Sequence, residues 1–376
     1  MEKIVENFDE YYSVFFNIAT FYFAFKQQWW KNLTTFCFLV VEIFTVVTSF
    51  YDIYYHFGDP SGSDSFLFGI ILGSAICQII AKQIYSNFHR DKMLNLLEWA
   101  KTFETRHFDP LIDMVVSQKL LAARKFTIIA VVIYMSLFTL AGSMYSCVFI
   151  VRGVEGKYWL VIPYLSKDNE YFNLITVTGH VIVFIFIGTC YGLSDTPSFI
   201  TGLHLMGFLD AMKCAIRLMK DATYAEEYPK ILRQIHLLHL EIIMKLNEFN
   251  YLIYIIALTQ FLSSMVLLAF MISLIIVTPN EFMMYYCGVL IIIQLFIFCI
   301  FGEILTVKTE NITEELYQIN WYEFSIAEQK KLLLILQISQ RNYAIKAGGM
   351  YPINIYAFIQ IVKLAITYAA LMTTLV

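Results

Sequence analysis

Charge is what this sequence has least of. Only 15% of its 376 residues are Asp, Glu, Lys or Arg, against roughly 25% in soluble globular domains. A net charge of −4 leaves no basic surplus, so a nucleic-acid partner is not expected. The seven cysteines (Cys37, Cys77, Cys147, Cys190, Cys214, Cys287 and Cys299) fall in predicted spans or on the predicted cytosolic side. That placement excludes an extracellular disulfide framework, and no CxxC pair offers a zinc site. There is no Gly-rich phosphate loop, no GxSxG elbow and no HExxH, so an enzyme reading has no residues to rest on. The sole histidine pair, His236 and His239 with Glu241 nearby, has no second ligand pair and reads as surface or bundle core; no metal or cofactor is expected. Acidic residues Glu2, Glu6, Asp9 and Glu10 argue against a signal peptide.

Apolar residues make up the difference, at 59% of the chain. They fall into blocks longer than the ~18–20 residues that cross a bilayer core. Seven spans are predicted, at about 33–54, 66–85, 125–151, 171–193, 253–277, 282–305 and 350–375. The expected fold is therefore all-α and polytopic. It divides into an interfacial segment 1–32, spans one to four at 33–200, and a cytosolic helical extension at 201–252. Spans five and six follow at 253–305, then a cytosolic helix at 307–346 and the last span at 347–376. Residues 11–30 end in Trp29 and Trp30 and read as a helix at the inner leaflet.

The basic residues set the orientation. With the amino terminus inside, 22 of them lie on the inner side, and only Arg152, Lys157 and Lys167 lie in outer loops. Lys82 is counted here with the inner charges. The sequons at Asn32 and Asn311 then fall inside and stay unglycosylated, and the carboxyl terminus lies outside. The inner segments carry helical spacing. Ile231, Ile235, Leu238, Ile242, Leu246 and Phe249 share one face, as do Ile326, Leu333, Leu336 and Ser339, which suggests a cytosolic bundle able to hold subunits together.

Ionisable groups inside spans are functional suspects: Glu42, His180, Glu303 and Lys363. On the last span, Lys363, Thr367, Leu371 and Thr374 share a helix face. A water-lined pore with an apolar constriction needs such a stripe, and packing on neighbouring helices explains it equally well. Pro352 gives that helix a place to bend. The outer halves of spans two, three, four and six mix small, aromatic and hydroxyl residues. These are Ile70, Gly73 and Ser74; then Phe138, Thr139, Gly142, Tyr145 and Ser146; then Thr176 and His180; then Tyr285 and Tyr286. They make room for a small apolar ligand, with Gly73 and Gly142 supplying the space. Small-residue helix packing is the competing reading, and the residues alone favour it.

The carboxyl-terminal region adds a family resemblance. Tyr317 and Trp321-Tyr322 precede a Leu-rich helix, the turn Ala347-Gly348-Gly349, and a final helix with the step Thr367-Tyr368. This ordered set resembles insect odorant receptors, and the length and span number fit that family along the whole chain. The resemblance implies an odorant-gated cation channel in which a tuning subunit joins a shared odorant receptor co-receptor in a tetramer. The last spans would line its pore, and spans two, three, four and six would enclose the odorant. It also implies placement in the plasma membrane of sensory-neuron dendrites. The inner segment at 200–252 lacks the co-receptor's long insertion, so the chain looks like a tuning subunit. Carried over, the gate positions match Leu371 and Leu375, with Thr374 as a polar pore position; Lys363 departs from the pattern. A gustatory-type homotetramer and a metabotropic seven-helix receptor are the alternatives. The latter normally brings an E/DRY triplet and NPxxY, and neither is present.

Overall fold

In lipid a backbone must satisfy its own hydrogen bonds, so long apolar runs become helices. The computed structural model describes residues 16–20, 29–57, 63–104, 110–154, 170–220, 226–341 and 343–375. Its helices are α1 (Trp29–Tyr55), α2 (Ser63–Phe88), α3 (Arg90–Glu104), α4 (Pro110–Val154), α5 (Phe172–Leu218), α6 (Tyr228–Val277), α7 (Phe282–Tyr317), α8 (Ile326–Ser339) and α9 (Ile355–Leu375). Six of them, α1, α2, α4, α5, α6 and α7, are long and apolar enough to cross a membrane, and α9 adds a shorter apolar helix.

Several helices far outrun a bilayer. At ~1.5 Å per residue, the 50 residues of α6 and the 47 of α5 reach well beyond the ~30 Å hydrocarbon layer. Neither breaks where its apolar span ends. The reason lies in the periodic face: Ile231, Ile235, Leu238, Ile242, Leu246 and Phe249 of α6 are all buried, so the extension has its own core. Lys213, Arg217 and Lys220 near the end of α5 converge on Glu315 of α7, and Lys308 of α7 bonds Asp210 of α5 at 2.5 Å.

The carboxyl-terminal helix α8 starts on a capping box. Glu328 N–H donates to the Ser325 hydroxyl, and Ser325 N–H donates to the Glu328 carboxylate at 2.9 Å. Its packing face differs from the predicted one. Leu332, Ile335 and Ser339 are buried, whereas Ile326 and Leu333 are exposed. The unbroken apolar block Leu332–Leu336 covers more than one full turn, so spacing alone does not choose a face. A two-residue hairpin follows, with Lys346 opposite Pro352 and Ala347 opposite Tyr351. Gly348 and Gly349 turn it at φ 58° and 74°, a backbone region that costs L-residues with a Cβ. Pro352 therefore sits in a strand and not in the last helix. That helix begins at Ile355, after Asn354 accepts a hydrogen bond from Ala357 N–H at 2.8 Å, so Pro352 supplies no bend within it. Of the amino-terminal segment, residues 16–20 are described: they form a buried helical turn, and Arg90 lies over the Phe16 ring.

The tightest helix crossing joins α4 to α5. A Cβ on Gly142 would collide with the Phe184 carbonyl, and one on Gly188 with the Phe138 carbonyl and the Gly142 Cα. Backbone opposes backbone, so neither side can yield. Gly73 differs, because an added Cβ would meet Ser49 at an ordinary 3.7 Å. Gly188→Val is expected to cost about 1–3 kcal/mol or more, and Gly73→Ala to be tolerated. Thermal unfolding of the purified protein, followed by size-exclusion fluorescence, measures both.

Candidate ligand cavity

Beside that crossing lies a partly open cavity of about 130 Å³. Helix α2 contributes Phe68, Ile71, Leu72 and Ala75, and α4 contributes Phe138, Ala141, Gly142 and Tyr145. Helix α5 adds Phe184, Ile187, Gly188 and Tyr191; α6 adds Leu267 and Met271; α7 adds Cys287, Leu290 and Ile291. The wall is almost wholly apolar. Tyr145 stacks on Phe184 with ring centroids 5.3 Å apart and planes 9° from parallel. Phe138 meets Tyr134 edge-on at 4.9 Å and lies 5.8 Å from Tyr191. An apolar cavity near 150 Å³ stays dry and accepts benzene, so this one suits a small apolar molecule.

Three of the twelve residues expected to meet a ligand line this cavity: Phe138, Gly142 and Tyr145. The other nine do not line it. Gly73 faces Ser49 and Ile53 of α1, while Ile70 and Ser74 are half-buried elsewhere on α2. Thr139 is half-buried beside Phe138 and accepts the Ser143 hydroxyl on its carbonyl. The Ser146 hydroxyl is spent on the Gly142 and Val181 carbonyls at 2.9 and 3.1 Å. Thr176 and His180 are buried on α5, the His180 ring nitrogen 2.5 Å from the Thr176 carbonyl. Tyr285 is exposed, its hydroxyl turned to the Pro279 carbonyl, and Tyr286 stands behind Tyr145 at 6.4 Å. Hydroxyls and imidazoles inside a membrane turn to nearby carbonyls, which takes them away from a dry cavity. The space attributed to Gly142 is likewise filled by the α5 backbone. The sequence did not mark the aliphatic wall, the rings of Phe68, Phe184 and Tyr191, or any of α6. A Leu or Ile in a span carries no local mark of facing a void.

On α9, Ala357, Ile361, Ala365 and Ala369 recur every four residues and are buried. They form the seam against the rest of the chain. Lys363, Thr367 and Leu371 lie on the other side and are exposed, Leu371 by 53%. The side chains of Thr374 and Leu375 lie outside the described residues. Of the remaining span charges, buried Glu42 accepts a hydrogen bond from Gln83 at 3.0 Å. Glu303 accepts the Ile355 N–H at the start of α9, at 3.4 Å. Lys82 is not a cytosolic charge: it is 1% exposed and paired with Asp195 at 2.6 Å.

Six helices long and apolar enough to cross a membrane, packed beside an apolar cavity, define a multi-pass membrane protein, and the comparisons name its kind. Residues 64–366 match the family described as 7tm Odorant receptor, and the chain belongs to that family. It is 30% identical to Odorant receptor 33b of Drosophila melanogaster over 120 residues, 31% of this chain and 32% of that one. It is 27% identical to Odorant receptor 10 of Aedes albopictus over 238 residues, 58% and 60% of the two chains. These matches span less than two thirds of the relatives' length. The fold is similar to the insect olfactory receptor OR5 from Machilis hrabei in complex with eugenol. The TM-score is 0.74 at 13% identity, covering 99% of this chain and 100% of that one. A second structure of that receptor gives a TM-score of 0.69 at 13% identity, covering 98% of this chain and 99% of that one.

The cavity can be tested without reference to function. Benzene at ten times its dissociation constant is expected to stabilise the purified protein by about 1.4 kcal/mol. In Ala75→Leu, where the added carbons occupy the void, the benzene shift is expected to vanish while the protein remains folded. Equal shifts in both proteins would place the benzene elsewhere.

Proposed function

We propose that this chain is the odorant-binding tuning subunit of a heteromeric ligand-gated cation channel. A small volatile occupies the cavity between α2, α4, α5, α6 and α7, and the pore is lined by α9 and its counterparts in partner subunits. The observation that carries this reading is the apolar, five-helix cavity in a chain of the odorant receptor family. The eugenol complex of the similarly folded receptor supports it. The ligand is a small, largely apolar molecule held by Phe138, Tyr145, Phe184, Leu267, Met271 and Ile291. Burying about 100 Å² of such a ligand contributes only ~2.5 kcal/mol, so affinity is weak and spread over many contacts.

The exposed stripe Lys363–Thr367–Leu371 supports the pore assignment. One side of α9 is committed to its own chain, and the opposite side carries a cation, a hydroxyl and a large apolar side chain. Leu371 contributes to an apolar constriction, which closes a narrow pore by expelling water; Thr374 and Leu375 are the further positions that the family resemblance assigns to the pore. The partner is the odorant receptor co-receptor, the amino terminus lies inside, and the assembly sits in the plasma membrane of a sensory neuron.

Two measurements test this. Expressed with the co-receptor, the chain is expected to give a volatile-evoked inward current. Leu371→Ser is expected to raise the resting current partially, because co-receptor subunits keep their own apolar side chains at the constriction. Wild-type leak and selectivity for every substitution along 363–371 would mean that α9 packs against protein. Epitope tags at the two termini are expected to label inside and outside respectively, and glycan at Asn32 or Asn311 would contradict that orientation.

A further inference from the structure

The cavity has a polar floor, and all five lining helices build it. One turn beyond the cavity, toward the end of the bundle that carries the helical extensions, each helix bears a polar side chain. Gln78 follows Ala75 on α2, and Tyr134 precedes Phe138 on α4. Asp195 follows Tyr191 on α5, Ser264 precedes Leu267 on α6, and Gln294 follows Ile291 on α7. These groups, with Lys82 and Gln260, form one continuous hydrogen-bonded network, every member buried.

Asp195 sits at its centre. Its Oδ1 accepts from Lys82 Nζ at 2.6 Å, and its Oδ2 accepts from Tyr134 Oη at 2.9 Å and from Gln294 Nε2 at 3.0 Å. Gln260 uses both ends of its amide. Its Oε1 accepts from Lys82 Nζ and from Gln78 Nε2 at 2.7 Å; its Nε2 donates to Ser264 Oγ at 2.8 Å and to Gln294 Oε1 at 3.2 Å. Tyr191 belongs to both structures: its ring walls the cavity, and its hydroxyl donates to Gln78 Oε1 at 2.8 Å.

Beyond the network, α6 and α7 hold α9. Phe296 of α7, two residues past Gln294, meets Phe358 of α9 with ring centroids 5.3 Å apart. The Tyr254 carbonyl of α6 accepts the Gly348 N–H at 2.9 Å, just before α9 begins. The helices that carry the network, α6 and α7, are thus also the ones that contact α9 and the hairpin before it.

We propose that Lys82, Asp195, Gln78, Gln260 and Gln294 are positioning residues that transmit occupation of the cavity to α6 and α7, and through them to α9. This deepens the odorant-channel reading and rests on it. A molecule filling the cavity presses on the Tyr191 ring and draws its hydroxyl from Gln78. A buried carbonyl left without a donor is costly, so the Gln78 amide turns to Lys82 or Gln260, and their bonds to Asp195 and Gln294 shift with it. A fully paired polar network is rigid and specifies its arrangement, because every member left unpaired is costly. Such an element responds to a ligand that fits one arrangement better than another.

The decisive variants are Tyr191→Phe, which cuts the tie to the cavity wall, and Gln260→Leu, which cuts the tie to α6. Lys82→Met strands a buried carboxylate and is expected to misfold, so it decides nothing here. Each full-length variant is expressed with the co-receptor. Its odorant-free current above co-receptor alone is divided by the number of receptors at the surface. Both variants are expected to change this quantity by about fivefold or more. For a volatile that activates the wild type, the saturating current is expected to fall while the half-maximal concentration moves by less than about threefold. A purely structural role lowers surface number and leaves current per receptor unmoved, and that result in both variants would overturn the proposal. If no volatile activates the wild type, the odorant reading fails, and the odorant-free current still decides the coupling.

Discussion

A lysine and an aspartate enter the middle of a membrane bundle only together. Removing either ion from water costs several kcal/mol, and mutual attraction offsets that cost only when the remaining polar atoms are also satisfied. Lys82 and Asp195, 1% exposed each and 2.6 Å apart, meet that condition by recruiting Gln78, Tyr134, Gln260 and Gln294. Those partners come from four helices besides α5, so the pair fixes how α2, α4, α5, α6 and α7 stand against one another. The cavity exists where it does because these helices are tied at its floor and crossed backbone to backbone at Gly142 and Gly188.

The two regions divide the chemistry. The cavity wall is aliphatic and aromatic and offers a ligand dispersion and desolvation but few hydrogen bonds. The polar groups that could bind a ligand strongly are spent on one another. Weak, shape-dependent recognition of small volatiles fits that division. So does a floor that senses filling of the cavity through a single shared tyrosine.

The helices were legible because length and apolarity in a membrane leave no other option. The face of 231–249 was legible because polar residues interrupt it on the other side, and the structure buries all six residues expected there. In 326–339 the apolar block Leu332–Leu336 wraps more than a full turn, and the predicted face was wrong for Ile326 and Leu333. The site was read from polar and small residues, which in lipid bond their own helices or let backbones cross. Only Phe138, Gly142 and Tyr145 of those chosen reached the cavity. The ion pair was hidden twice. Lys82 read as a flanking positive charge, and Asp195 lies past the apparent end of its span at residue 193, on a helix that continues to Leu218. Their separation of 113 residues leaves no local pattern linking them.

The five-helix cavity is proposed as the ligand site. A structure of the assembled receptor with a saturating activating volatile tests it most directly. Density for the volatile is expected between Phe138, Tyr145, Phe184, Leu267, Met271 and Ile291, with the Tyr191 hydroxyl displaced from Gln78. An empty cavity with the volatile bound elsewhere, and the Tyr191–Gln78 bond unchanged, would contradict it.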